Sequence, residues 1–128
     1  MLTCFILIAV IKYVLITERL TWNDAKQACI DMGARLMELR TQDEFDRALQ
    51  FRLDLGTLWL GGTDSGTENN WRWISNNDPI NWSAQYWLNG GPYHNRYDLN
   101  CLAMQYVSET GIYDWFCHVS HSVACEFP

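Results

Sequence analysis

Residues 41–62 read TQDEFDRALQFRLDLGTLWLGG, and the pattern changes from helix to strand within this stretch. It opens with a Thr-x-x-Glu capping box, which is typical of a helix start. Phe45, Leu49 and Leu53 then recur at helical spacing and are predicted to share one face. Gly56 ends the run, and the apolar triplet Leu-Trp-Leu that follows is typical of a short strand. The stretch therefore predicts a helix that leads directly into a sheet.

A strand and a further helix are predicted on the N-terminal side of this stretch. Residues 13–17 are rich in β-branched and aromatic side chains and predict a strand. Thr21 is a suitable N-cap, residues 22–32 contain good helix formers, and Gly33 stands where a helix stop is expected. The chain therefore begins as strand, helix, helix.

Short strands and one long connection are predicted on the C-terminal side. Segment 75–100 exceeds the usual length of a loop and contains several Trp and Tyr residues among Asn, Gly and Ser. Long ordered loops usually carry function. The order predicts an α+β domain with two helices packed on short antiparallel sheets. The strands are predicted at 58–60, 71–74, 102–107 and 122–127.

Length and charge limit the possible classes of protein. A chain of 128 residues with 48% hydrophobic content forms one domain with a real core. Nine Lys and Arg against fifteen Asp and Glu give a formal net charge of −6, which argues against nucleic acid and anionic membrane surfaces as partners. No apolar run is long enough to predict a transmembrane helix.

Residues 1–11 form an uncharged apolar segment ahead of the domain predicted at 12–128. The segment is either the remnant of a secretory signal or a hydrophobic first strand, and the sequence leaves both interpretations open. Five cysteines in so short a chain indicate an oxidising compartment, so we expect a secreted, extracellular protein. If Cys4 is retained, it could join two copies in a disulfide-linked homodimer.

The other four cysteines are predicted to form two disulfides. Their spacing suggests Cys29 with Cys125 and Cys101 with Cys117, although four cysteines allow three connectivities and the residues alone do not choose among them. In the chain-entropy model these two loops would contribute roughly 4.7 and 3 kcal/mol.

Several motifs of the chain form a recognisable set. They are Thr21-Trp22-Asn23-Asp24-Ala25, Trp59-Leu60-Gly61-Gly62, Asn81-Trp82 and the cysteines at 29, 101, 117 and 125. By these motifs the chain resembles a C-type lectin-like domain from about Lys12 to Phe127, and its ending 120–128 is similar to that of the mannose-binding collectins. The resemblance implies a disulfide-stabilised double-loop fold, the cysteine pairing that the spacing suggests, and a long loop that binds calcium and, through it, sugar hydroxyls.

The principal calcium site implied by the resemblance has lost most of its ligands. The triplet of sugar-binding members has acidic and amide residues on both sides of a proline, whereas Pro92 is flanked by Gly91 and Tyr93. Leu99 replaces an acidic ligand, and Asp114 is the one side-chain ligand that remains. Because Ca²⁺ takes about 6–8 oxygen ligands, we expect this site to be absent or weak.

An auxiliary cation site is better preserved. Asp64 and Glu68 match the spacing of its acidic ligands, while His94 and Asn100 stand where the family pattern has Asp. Two carboxylates and an imidazole favour Zn²⁺ or another borderline cation over Ca²⁺. The alternative is structural, with the acids capping a turn and the histidine in solvent.

Aromatic and polar side chains of the long loop and the next hairpin suggest carbohydrate binding. Flat apolar faces beside hydrogen-bonding groups suit a pyranose ring, so we expect a lectin of innate immune pattern recognition that binds microbial surface glycans. The alternative is a calcium-independent domain that binds a protein through the same loop, since Trp, Tyr and Arg also dominate protein interfaces. The candidate residues are Trp87, Tyr93, Asn95, Asp98, Tyr113 and Asp114.

Two further motifs involve the histidines and Asn81. His94, His118 and His121 could in principle hold a catalytic zinc, but no metallohydrolase motif supports this, and no enzymatic activity or catalytic residue is predicted. Asn81-Trp82-Ser83 is a sequon for N-glycosylation. It overlaps a position that the resembled family packs into the loop core, which argues against its occupancy.

Overall fold

The fold is α+β, as predicted. The computed structural model describes residues 12–82, 99–106 and 110–128, so the apolar segment 1–11 and its two interpretations lie outside the described residues. Neither helix in the described ranges has the length and hydropathy to cross a membrane. The elements are β1 (Tyr13–Leu20), α1 (Trp22–Asp31), β2 (Arg35–Leu36), α2 (Gln42–Leu55), β3 (Leu58–Thr63), β4 (Arg72–Trp73), β5 (Cys101–Tyr106), β6 (Thr110–Trp115) and β7 (His121–Glu126).

The strands of the described residues form a single mixed sheet with the order β1-β7-β3-β5-β6. Strand β2 pairs with β7, and β4 pairs with β3. The prediction of antiparallel sheets needs one correction, because β3 and β7 are parallel, with Leu58 opposite Ser122 and Trp59 opposite Val123. The last strand is thus an interior strand of the sheet, between β1 and β3.

Both helices begin and end where local signals predicted. The Thr21 hydroxyl accepts a hydrogen bond from the Asp24 amide at 3.3 Å, and the Thr41 hydroxyl accepts one from the Glu44 amide at 3.2 Å. Each cap satisfies an amide that has no partner within the helix. Gly56 ends α2 with φ of 84°, a left-handed conformation that glycine adopts without strain.

The buried face of α2 differs from the predicted one. Phe45 and Ala48 are buried, and Leu49 packs against the same core, but Leu53 is 68% exposed. A residue eight positions along a helix is rotated by about 80° from the first, because each residue turns the helix by about 100°. The prediction that Leu53 shares the buried face was therefore wrong.

Two disulfides link the elements, with the pairing that spacing and resemblance suggested. Cys29 on α1 is bonded to Cys125 on β7, and Cys101 at the start of β5 is bonded to Cys117 beyond β6.

Two tryptophans reinforce the packing of β3 against the N-terminal elements. The Trp22 indole donates to the Leu60 carbonyl at 2.8 Å, and the Trp59 indole donates to the Leu20 carbonyl at 2.9 Å. These contacts hold β3, and hence the residues that follow it, in a fixed position against α1.

Candidate functional site at the base of the long loop

The end of β3 and the start of β5 meet at the base of the long loop. Thr63 pairs with Cys101. The Asn100 carbonyl accepts hydrogen bonds from the Asp64 amide, at 3.3 Å, and from the Thr63 hydroxyl. Two predicted cation ligands, Asp64 and Asn100, are therefore brought together although 36 positions separate them in the sequence.

Asp64 is a buried carboxylate in a tight turn. Its Oδ2 accepts a hydrogen bond from the Asn69 amide at 3.0 Å, and its backbone carbonyl accepts one from the Thr67 amide at 3.1 Å. Gly66 and Asn69 supply the positive φ angles, 95° and 66°, that close the turn. Asp64 thus caps this turn by accepting a hydrogen bond from the Asn69 amide, which is the structural alternative that the sequence left open.

One oxygen of Asp64 has no hydrogen-bond partner. The residue is 3% exposed, and its Oδ1 is buried without a partner in the described part of the chain. Burial raises the pKa of this carboxyl above its ordinary value, and the negative charge of Asp114 raises it further. A buried carboxylate beside another acid is costly unless a positive charge or a donor compensates it.

The two candidates on β6 are buried. Asp114 lies opposite Leu102, Tyr113 lies opposite Ala103, and both Tyr113 and Asp114 are 0% exposed. A tyrosine that stacks on a sugar must present one face of its ring to solvent, and Tyr113 does not. The stacking role predicted for Tyr113 is therefore wrong for this structure, and Asp114 acts at the site through its charge on Asp64.

Some of the other predicted site residues lie in the described part of the chain. Leu99, which replaces an acidic ligand, is 2% exposed and belongs to the apolar interior. Glu68 and Asn100 are partly exposed. Within residues 12–82, 99–106 and 110–128, no three His, Cys, Asp or Glu side chains converge as metal ligands do. Outside the described residues lie Trp87, Tyr93, His94, Asn95 and Asp98.

The two described histidines contact aromatic rings. His121 on β7 packs edge-on against Trp59, with ring centroids 4.8 Å apart. Its Nε2 is buried without a partner in the described chain, and burial, followed by the positive charge of Arg19, lowers its pKa. His118 contacts the ring of Phe116. These surroundings are those of structural residues.

Glu38, which sequence reasoning missed, fixes the start of the long loop. It is fully buried, and its Oε2 accepts a hydrogen bond from the Ser75 amide at 2.9 Å. Its Oε1 accepts from the Ser75 hydroxyl at 2.8 Å and forms an ion pair with Arg40. The sequence offers one indication of this role, a single acid within the apolar run 36–39. An acid in such a run is expected to be buried, and a buried charged residue usually has partners.

Similar sequences are found among known C-type lectin domain proteins. A family model described as "Lectin C-type domain" matches residues 18–127. The human C-type lectin domain family 4 member C is 29% identical over 116 residues, which are 89% of this chain and 53% of that protein. Human C-type lectin domain family 4 member D is 28% identical, over 91% of this chain and 54% of that protein. The chain thus spans about half the length of these relatives.

Solved structures show the same fold. The C-type lectin domain of murine dendritic cell inhibitory receptor 2, in complex with an N-glycan, has a TM-score of 0.71 and 26% identity, with 91% of each chain covered. A Ca²⁺-dependent type II antifreeze protein in its Ca²⁺-free form has a TM-score of 0.75 and 23% identity, with 88% of each chain covered, and shows the fold alone. By its sequence motifs, its disulfides and the match over 18–127, the chain belongs to the C-type lectin domain family.

Proposed function

We propose that this domain is a secreted, extracellular lectin that binds glycans of microbial surfaces in innate immune pattern recognition. The observation that carries the proposal is its likeness, over 91% of its length and at 26% identity, to a domain solved with an N-glycan. The cow CD23 domain, solved in the presence of an oligosaccharide, is 25% identical and supports the same class of ligand. C-type lectin domains are in general not enzymes, and we propose no catalytic role.

The proposed binding surface is the long loop. Trp87 and Tyr93 would stack on the sugar ring, and Asn95 and Asp98 would bond its hydroxyls; these four assignments come from the sequence. The structure supports them indirectly, because Glu38 anchors the start of the loop through Ser75. A ligand-binding loop whose ends are fixed loses less conformational freedom on binding.

C-type lectin domains generally bind Ca²⁺, but the residues at the principal position do not fit it. Leu99 offers a buried apolar side chain where an oxygen ligand is required, and Tyr113, which stands where the family's Trp-Asn-Asp motif has Asn, is equally buried. A hard cation takes about 6–8 oxygens, and Asp114 supplies at most two of them. We therefore propose sugar binding without a principal calcium.

The auxiliary position fits a cation better. Asp64 has a buried carboxylate oxygen without a partner and a pKa raised by burial and by Asp114. A cation there would compensate the negative charges of Asp64 and Asp114, and it would stabilise the base of the loop. We propose Zn²⁺, or alternatively Ca²⁺, with Asp64, Glu68, Asn100 and His94 as ligands.

The test is retention of the refolded chain on immobilised bacterial and fungal polysaccharides, in chelator, in Ca²⁺ and in Zn²⁺. We expect retention in chelator and release by free monosaccharides. Retention in Ca²⁺ alone would contradict the loss of the principal ligands. Absence of retention under every condition would overturn the lectin proposal and favour the protein-binding alternative. In that case Trp87→Ala, and Arg96→Ala at the position after Asn95 in the same loop, should reduce partner affinity, because Trp and Arg dominate protein interfaces.

Thermal unfolding tests the auxiliary cation separately. Zn²⁺ should raise the melting temperature of the unmodified chain, and Asp64→Asn and His94→Ala should each abolish that rise. Asp54→Asn, which removes one carboxylate from an exposed position on α2, is the matched control and should respond like the unmodified chain. An unchanged response of His94→Ala would show that the assigned ligand set is wrong.

A further inference from the structure

Asn81 stands in the one Asn-x-Ser/Thr triplet of the chain, Asn81-Trp82-Ser83. Ile80 is buried, and Trp82 packs against the core, with its ring edge-on to Trp71 at a centroid distance of 6.0 Å. Asn81, between them, is exposed. The packing that argued against occupancy therefore falls on the neighbours of the asparagine, and the acceptor residue itself faces outward.

The segment before Asn81 is a well-tied surface turn. The Ile80 amide donates to the Trp71 carbonyl at 3.1 Å, Arg72 and Pro79 form a bridge, and the Arg72 guanidinium donates to the Asn77 carbonyl at 2.7 Å. A glycan is bulky and polar, so it needs an attachment point on the surface. Asn81 is exposed, and a glycan attached there would project into solvent without displacing the core.

A shallow groove lies beside Asn81 and has a volume of about 250 Å³. This is below the roughly 300–1,000 Å³ of sites for drug-sized ligands, so it suits one sugar ring. Pro79 and the exposed Asp78 form part of its rim, which offers an apolar surface beside a carboxylate acceptor. The groove is lined by Leu39, Arg40, Trp73, Asp78, Pro79 and Asn81.

We propose that Asn81 is N-glycosylated and that the innermost N-acetylglucosamine lies over this groove. The side-chain nitrogen of Asn81 loses one proton and forms a bond to C1 of that sugar in a lipid-linked oligosaccharide. The bond from C1 to the lipid diphosphate breaks, the lipid diphosphate leaves with the electron pair of that bond, and the proton from Asn81 passes to solvent. The cell's oligosaccharyltransferase catalyses this transfer in the compartment where disulfides form, and the structure has two disulfides.

The test is secretion of the full chain from eukaryotic cells, followed by intact mass and gel mobility before and after treatment with peptide N-glycosidase. We expect the mass of one glycan, its loss on treatment with conversion of Asn81 to Asp, and no glycan on Asn81→Gln. Ser83→Thr preserves the acceptor triplet and should also be glycosylated. Secretion of both unmodified and Ser83→Thr chains without a glycan would overturn the proposal. Mass and gel mobility do not measure sugar binding, so this test gives the same answer whether or not the domain is a lectin.

The rate at which the glycosidase acts on the folded protein tests the groove. Asp78→Ala should be cleaved several-fold faster than the unmodified protein, because the sugar loses a contact in the groove. Asp54→Ala, on the exposed side of α2, is the matched control and should leave the rate unchanged. Equal rates for all three proteins would refute the contact with the groove.

Discussion

Replacing Glu38 tests how the start of the long loop is held, because Glu38 accepts hydrogen bonds from Ser75. Asp78 provides a comparison, since the Arg40 guanidinium contacts both the buried Glu38 and the exposed Asp78. Glu38 is fully buried and pairs with Arg40, whereas the Asp78 side chain is 54% exposed and lies 3.4 Å from the same guanidinium. Glu38→Ala would leave the Arg40 guanidinium, the Ser75 amide and the Ser75 hydroxyl without this acceptor. Asp78→Ala would remove two solvent-screened contacts, one with Arg40 and one with the Asn76 side-chain amide.

The two substitutions should differ several-fold in their effect on the free energy of unfolding. Arg40 is 28% exposed, but the Glu38 carboxylate is fully buried, and removing a buried partner of an ion pair costs about 3–5 kcal/mol, while an exposed ion pair is worth about 0–1 kcal/mol. An entropy of unfolding of roughly 2.1 cal/mol/K per residue gives about 0.27 kcal/mol/K for this chain. We therefore expect the melting temperature to fall by about 11–19 °C for Glu38→Ala and by less than about 4 °C for Asp78→Ala.

Urea unfolding at neutral pH, with the disulfides intact, provides the measurement. Glu38→Gln, which keeps an acceptor oxygen, should lie between Glu38→Ala and the unmodified chain. A loss below about 1 kcal/mol for Glu38→Ala, or equal losses for the two alanine variants, would refute the reasoning that burial decides the strength of this contact.

Three further predictions concern stability. Replacing Cys29 and Cys125 together by Ala should lower the free energy of unfolding in urea by about 2–5 kcal/mol, since the disulfide between them constrains the unfolded chain. An unchanged free energy of unfolding would contradict this. Gly62→Ala should cost about 1–3 kcal/mol in the same assay, because the new Cβ would lie 2.7 Å from Leu102 Cδ2, and an unchanged midpoint would show that the core yields freely. Burial lowers the pKa of His121, so below its ordinary pKa of 6.5 the unfolded chain binds more protons than the folded one, and stability should fall as pH decreases from about 7.5 to 5. His121→Gln should flatten that slope, and an unchanged slope would exclude His121 as its origin.

The helices could be predicted because their signals are local. Thr21 and Thr41 bond amides three residues ahead, so the residues that decide each boundary lie within one turn. The strands depend on distant partners, and their limits were less accurate. Strand β1 continues beyond Thr17 to Leu20 because Leu20 pairs with His121 on β7. A hairpin was expected between Cys101 and Cys117, but the limits of its second strand, β6, were not predicted, because Gly111 and Asp114 weaken the strand pattern although β5 pairs along its whole length.

The candidate site could be predicted only in part. The family resemblance assigned Asp64 and Asn100 to one cation site, and the structure brings these two residues together through a backbone hydrogen bond. The burial of Tyr113 depends on packing on both faces of β6, which no local pattern reveals. The role of Glu38 depends on Ser75, 37 positions away. Partners set by tertiary packing therefore decide the parts that sequence reasoning missed.

The covalent link between α1 and β7 also determines how the domain would respond to a pulling force. Lys12 and Phe127 are held together by hydrogen bonds of 2.9 and 3.1 Å, and Cys125 lies two residues before Phe127. A pull on residues 12 and 128 would peel β1 from β7 and then load the disulfide, with residues 30–124 enclosed in the covalent loop. At about 3.5 Å per residue the chain could lengthen to only about 70 Å, against roughly 400 Å without the link. Cys29–Cys125 would thus keep most of the lectin domain folded while its ends bear a load.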